Sequence, residues 1–193
     1  MPRIPLPGPE EMTPEQRRVY DAVIAGPRGH FVGPLRAVIH RPELAERWQL
    51  LGEILRFRTG FAPRLSELAI LIAGRHWDSQ FEWYAHEPIA LRAGLSPVIV
   101  EAIRNARRPA SMQADEEAVY DYCAELLERH VVPENIYRRA HELFGTVGVV
   151  ELTALVGYYS MVAMTLNAHE LPLPEGARPP LPPRGISQKP PSA

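Results

Sequence analysis

Proline constrains this chain more than any other residue. It fixes φ, lacks the backbone N–H and breaks both helix interiors and sheet ladders. Of the 21 prolines, five fall before residue 15, eight after residue 170 and eight in the long stretch between. The ends therefore read as arms and the middle as the folded part. The expected organisation is an extended arm over 1–12, one helical domain over 13–169 and a Pro-rich tail over 170–193. The tail, with Pro179-Pro180-Leu181-Pro182-Pro183, is expected to be extended or polyproline-like and to lie over its own or a neighbouring subunit.

The prolines of the middle mark helix starts. Thr13-Pro14-Glu15-Gln16 has the form of a capping box with proline at the first helical position, leading into Val19, Tyr20, Val23 and Ile24. Pro42 opens a helix in which Leu44, Trp48, Leu51, Ile54 and Leu55 recur at helical spacing, ending near Gly60. Pro63 begins another, whose run Leu68-Ala69-Ile70-Leu71-Ile72-Ala73 is apolar all round and so predicts burial. Further helices are expected over 79–93, from Ser96-Pro97, and over 114–130, 133–144 and 146–167. No segment alternates convincingly as a strand, and no internal repeat is present. The expected fold class is all-α, a single-domain helical bundle.

Composition narrows the partners. With 46% hydrophobic and 23% charged residues and a formal net charge of -2, the chain is globular in type, and nothing points to a nucleic acid or an anionic membrane. Residues 147–166 are nearly long enough to span a bilayer, but Glu151, Thr153, Tyr158, Tyr159 and Ser160 favour a buried helix. Prolines also interrupt the first nine residues before a signal-type apolar segment can form. The expectation is a soluble, cytoplasmic protein. Cys123 stands alone, which excludes an intrachain disulfide, a CxxC pair and a thiolate zinc cage within one chain.

Seven histidines are present, none in an HxxxH or HExxH pattern, and no metal site is expected. His30, His40, His130, His141 and His169 fall in loops or near helix ends, where surface and capping roles are the common ones. His86 differs because Glu82 lies four residues before it on the same helical face. A carboxylate beside an imidazole favours the imidazolium and selects the protonated ring nitrogen, which makes an acid/base unit. Phe81, Trp83 and Tyr84 offer an apolar wall, and Trp83 is a candidate substrate contact. Pro88 deprives the carbonyl of Tyr84 of its helical partner. Glu67 heads the most apolar segment and is a second candidate acid/base. Arg75 is a candidate to hold a substrate carboxylate, since its planar fork suits that group. Structural readings compete with each of these. Ser79-Gln80-Phe81-Glu82 fits a capping box, Glu67 fits a helix-dipole position, His86 fits a satisfied core histidine, and Arg75 fits a surface ion pair.

The run from Arg64 through Glu67, Arg75, Trp77, Ser79, Glu82-Trp83, His86 and Ala90 to Gly94-Leu95-Ser96 resembles the signature of the carboxymuconolactone decarboxylase family. That family shares the alkylhydroperoxidase D-like fold. The resemblance is strongest over 63–104 and extends more weakly from about 30 to 168. In the peroxidase branch a glutamate precedes a CxxC pair and a histidine. Glu67 and His86 match the outer positions, whereas Ser79 and Glu82 stand where the cysteines would be. The resemblance thus implies the cysteine-less branch. Its implied activity is a cofactor-independent lyase or isomerase of aromatic-compound catabolism, acting on a small lactone or carboxylated carbonyl compound. The implied catalytic residues are His86, Glu82 and Glu67, with Glu82 orienting His86, and the implied assembly is a homo-oligomer. The alternatives are a peroxidase or redox protein using Cys123, and a non-catalytic small-molecule-binding protein.

Overall fold

A computed structural model describes residues 1–182. Within them the chain is all-helical. The helices are α1 (Pro14–Ala25), α2 (Pro34–Val38), α3 (Pro42–Phe57), α4 (Pro63–His76), α5 (Gln80–Arg92), α6 (Pro97–Arg104), α7 (Ala114–Arg129) and α8 (Glu134–Ala168). Prolines 14, 34, 42, 63 and 97 all occupy first positions, where the missing N–H has no helical partner to lose. The capping box at α1 forms as the sequence suggests: Gln16 N–H donates to Thr13 Oγ1, and Thr13 N–H donates to Gln16 Oε1. Gly145, at φ 66°, interrupts the helical dihedrals of α8, so the two helices expected on either side of it meet at a kink.

The core forms around α4. Leu65 through Gly74 are buried without a break, and α5, α6, α7 and α8 pack around the helix. Leu68, Ile70 and Leu71 of α4 share one buried cluster with Leu152, Leu155 and Val162 of α8, which packs against it. Each such side chain contributes roughly 1.5–3 kcal/mol through removal from water. Helix α8 is long and apolar enough to cross a membrane, yet half of its most apolar stretch is buried inside this domain.

Both arms lie on the domain. Arg3 N–H donates to the carbonyl of His169 (3.0 Å), Arg36 donates to the carbonyl of Leu6 (2.9 Å), and the His40 ring bonds to that of Pro5 (2.8 Å). A short 3-10 turn, Pro9–Glu11, interrupts this arm. Residues 171–182 cross the domain in non-helical conformation. Gln80 holds both backbone groups of Leu181, whose side chain is buried in the core, and Arg104 donates to the carbonyl of Pro180 at 2.6 Å. Pro183, the end of the proline run, lies outside the described residues. Helix α2 was not legible in the sequence because five residues are too few for a 3.6-residue period to register.

Candidate active site

A cavity of about 590 Å³ lies between α3, α5, α8 and the loop before α2. His86 and Glu82 are in its wall. Helix α5 starts after Ser79 and presents both side chains to the cavity, four residues apart, and Pro88, two residues further on, also lines it.

Three sequence candidates come together here, in a different arrangement from the one expected. His86 Nδ1 bonds to Oε2 of Glu67 at 2.8 Å, and both side chains are buried. Glu67, rather than Glu82, therefore orients the imidazole. A carboxylate only accepts, so Nδ1 carries the hydrogen and Nε2 is left for the cavity. Tyr159 of α8 stands edge-on to the imidazole, with ring centroids 5.1 Å apart, and fixes its plane. Glu67 lies beyond the first turn of α4, within the buried segment, so the helix-dipole reading does not apply.

Glu82 has neither of its expected roles. It does not bond to His86, and Ser79 makes no side-chain cap bond at the start of α5. Both carboxyl oxygens of Glu82 are buried without a hydrogen-bond partner among the described residues. Burial, and secondarily the negative charge of Glu67, lifts its carboxyl well above the ordinary value of 4.5. Its surroundings thus favour the protonated form, which has a hydrogen to donate. Gly74 makes room for it, since a Cβ there would stand 3.2 Å from Glu82 Oε1.

Two further candidates lie elsewhere. Arg75 bonds to Asp78 and to the carbonyl of Arg104 (2.8 Å), and it lines a separate cavity of about 330 Å³. Trp83 is fully buried, its Nε1–H donating to Glu87 (3.0 Å) and its ring under the Arg104 guanidinium. It does not line the cavity, because its ring packs into the domain beneath Arg104 instead. The aromatic wall instead comes from Trp48, Phe81, Tyr84, Tyr158 and Tyr159. The cations at the cavity are Arg28, Arg56 and Arg92, which sequence reasoning missed because they sit on three separate segments.

Cys123 is fully buried on α7 and outside the cavity wall. Burial pushes its thiol upward, the opposite of what a thiolate nucleophile needs. Among the described residues, no three His, Cys, Asp or Glu side chains gather as a metal site.

Neither a family model nor a curated protein matches the chain by sequence. Solved structures match it in shape. An alkylhydroperoxidase AhpD core, an uncharacterized peroxidase-related protein from Ralstonia eutropha JMP134, is similar at a TM-score of 0.73 and 15% identity, over 90% of this chain and 93% of that one. An uncharacterized peroxidase-related protein from Silicibacter sp. TM1040 gives 0.71 and 12%, over 88% and 90%. An AhpD-type protein of unknown function from Agrobacterium tumefaciens gives 0.64 and 16%, over 72% and 95%. The all-helical chain and these superpositions agree with the resemblance read from residues 63–104: the chain has the alkylhydroperoxidase D-like fold.

Proposed function

We propose that this protein is a cofactor-independent acid/base catalyst, a lyase or isomerase acting on a small lactone or carboxylated carbonyl compound. The observation that carries this reading is the buried 2.8 Å contact between Glu67 and His86, which leaves Nε2 for a cavity whose wall also holds a neutral Glu82. In an isomerisation, Nε2 takes a proton from the carbon next to the substrate carbonyl, and the C–H electrons move into the carbonyl as an enolate. The same nitrogen returns the proton at the conjugated carbon. In a decarboxylation, the electrons of the breaking C–C bond form the dienolate as carbon dioxide leaves, and an imidazolium Nε2–H protonates it. In both cases the Glu82 hydroxyl donates to the oxygen on which negative charge develops, as a buried neutral acid is suited to do. Glu67 stabilises the imidazolium and keeps Nδ1 protonated. The apolar walls strengthen each of these interactions by excluding water.

The peroxidase reading suggested by the names of the structural neighbours finds no support in the cysteine, which is buried with its thiol raised. Self-association of the chain is supported by Leu50, Leu51, Ile54 and Phe57 of α3 and Val147 and Val150 of α8, all exposed apolar side chains.

The test is a panel of small oxo acids and carboxylated lactones incubated with the protein in D2O. Nuclear magnetic resonance follows deuterium entry, and carbon dioxide release is measured in parallel. Turnover by the wild type and a loss of roughly a hundred- to ten-thousand-fold in His86→Ala is the expected result. Equal turnover in His86→Ala would remove His86 from the mechanism.

A further inference from the structure

The cavity wall contains polar groups that the acid/base step does not use. Arg28 Nε and Trp48 Nε1 are both buried without a hydrogen-bond partner among the described residues, and both residues line the cavity. Buried N–H groups are almost always paired, so two orphan donors in one wall need an explanation. They converge on one tyrosine. Arg28 Nη2 donates to the Tyr158 hydroxyl (3.4 Å), that hydroxyl donates to the Trp48 carbonyl (3.3 Å), and the Trp48 and Tyr158 rings lie 5.8 Å apart. Gly52 of α3 permits this convergence, because a Cβ there would collide with both the Tyr158 hydroxyl and the Arg28 guanidinium.

Charge at this cavity is one-sided. Arg28, Arg56 and Arg92 line it, and none of them is in an ion pair among the described residues. Of the two lining carboxyls, Glu82 is buried and makes no bond to any of these arginines, and Glu87 is paired with Arg104. The arginine end is joined to the catalytic end by aromatic rings. Tyr158 stands edge-on to Tyr159 at 5.4 Å, and Tyr159 edge-on to His86 at 5.1 Å.

We propose that the cavity binds the carboxylate of a flat, unsaturated ring compound, held by Arg28 and Arg56 with the Trp48 indole N–H, while the ring lies along Tyr158 and Tyr159 toward His86. This rests on the reading of the cavity as the catalytic site and names the charge of its substrate and the groups that hold it. A carboxylate accepts from several donors at once, which suits a guanidinium Nε and an indole N–H that only donate. It also supplies the negative charge that the arginines lack. Arg75 has no part in this grip.

The experiment is calorimetric titration of the full chain with cinnamate and benzoate and with their amides. The acids are expected to bind, and each amide to bind at least about tenfold more weakly. Arg28→Gln and Arg56→Gln should each weaken the acids by roughly ten- to a hundredfold and leave the amides little changed. Trp48→Phe should weaken the acids by a smaller factor, and Arg75→Gln should change neither. If Arg28→Gln unfolds, Arg56→Gln and Arg56→Glu carry the test at a half-buried position. Equal binding of acid and amide, no cinnamate binding at millimolar concentration, or indifference to both arginine substitutions overturns the proposal. Repeating the titration in His86→Ala separates it from the catalytic reading. Acid preference in both proteins with no turnover of any substrate by the wild type sinks only the catalysis, whereas wild-type turnover without acid preference sinks only this grip.

Discussion

The two flanks of α4 treat charge in opposite ways. Toward α6 and α7, arginines are matched: Arg64 with Asp115 and Glu116, Arg104 with Glu87 and Glu101, and Arg108 with Glu117 and Asp121. Toward the cavity, Arg28, Arg56 and Arg92 have no acidic partner among the described residues, and Glu82 has no hydrogen-bond partner. Matched charges fasten helix ends together. Unmatched ones beside a cavity hold interaction energy in reserve for a ligand, at some cost to the empty protein. The difference separates residues that build the domain from residues that act in it.

The strongest way to break this division is at Trp83 and Tyr84, adjacent aromatic residues on opposite sides of it. Trp83→Ala empties a fully buried site and should cost about 3–5 kcal/mol in urea unfolding. Tyr84→Ala, at a cavity-lining position 39% exposed, should cost about 1 kcal/mol or less and act on ligand binding instead. If Trp83→Ala kept its stability but lost ligand, the tryptophan would belong to the cavity after all.

The arginines give the next contrast. Arg75→Gln loses a charge-assisted bond to the Arg104 carbonyl and the pairing with Asp78, and should destabilise by about 1.5–3 kcal/mol. Arg56→Gln removes an unpaired cation and should stay within about 0.5 kcal/mol of wild type. Thermal melts of the two variants compare them directly, and a reversed order would mean that the cavity arginines are structural. A smaller effect is expected at Gly52. A methyl there gains helix propensity but collides with the Tyr158 hydroxyl and Arg28, for a net loss of about 1–2 kcal/mol. Tyr158→Phe in the same chain should restore part of it, because the hydroxyl is the nearest of the three atoms struck, although the ring Cζ remains.

The sequence made the helices legible and left their mutual rotation hidden. Prolines at first helical positions and the all-apolar run of α4 predicted the starts and the burial, because both signals are local to a few consecutive residues. His86 and Glu67 stood out in the sequence through their match to the family pattern, but the pairing between them did not. Spacing of four residues made Glu82 the nearer partner of His86, whereas the packing of α4 on α5 brings Glu67 to the ring from 19 positions away. Arg75 and Trp83 lie off the cavity for a related reason. A helix presents residues to different neighbours every 100°, and chain proximity to His86 does not tell which neighbour. Arg28, Arg56 and Trp48 had no local signal, since a binding wall assembled from a loop and a distant helix exists only after folding.

The subtlest comparison is between the two carboxyls that meet at the site. Glu67 accepts from His86, whereas Glu82 is kept protonated chiefly by burial and then by the charge of Glu67. In the unfolded chain Glu82 ionises around its ordinary value of 4.5, while in the folded protein it still holds its proton above that pH. Unfolding therefore releases a proton, and the contribution of this group to stability is whole below about pH 4.5 and is lost as pH rises toward the folded value. Glu82→Gln keeps the shape of the neutral acid and cannot titrate. Relative to wild type, the variant should thus show no advantage in urea unfolding at pH 4 and a growing one from pH 5 to pH 8. Its amide still donates a hydrogen bond, so turnover should fall by less than about tenfold if Glu82 only steadies the developing oxyanion. A fall as deep as that of His86→Ala would make Glu82 a proton donor in its own right. A stability difference that stayed flat with pH would mean that Glu82 is ionised and partnered in the folded protein, and the cavity flank would then be as fully matched as the other.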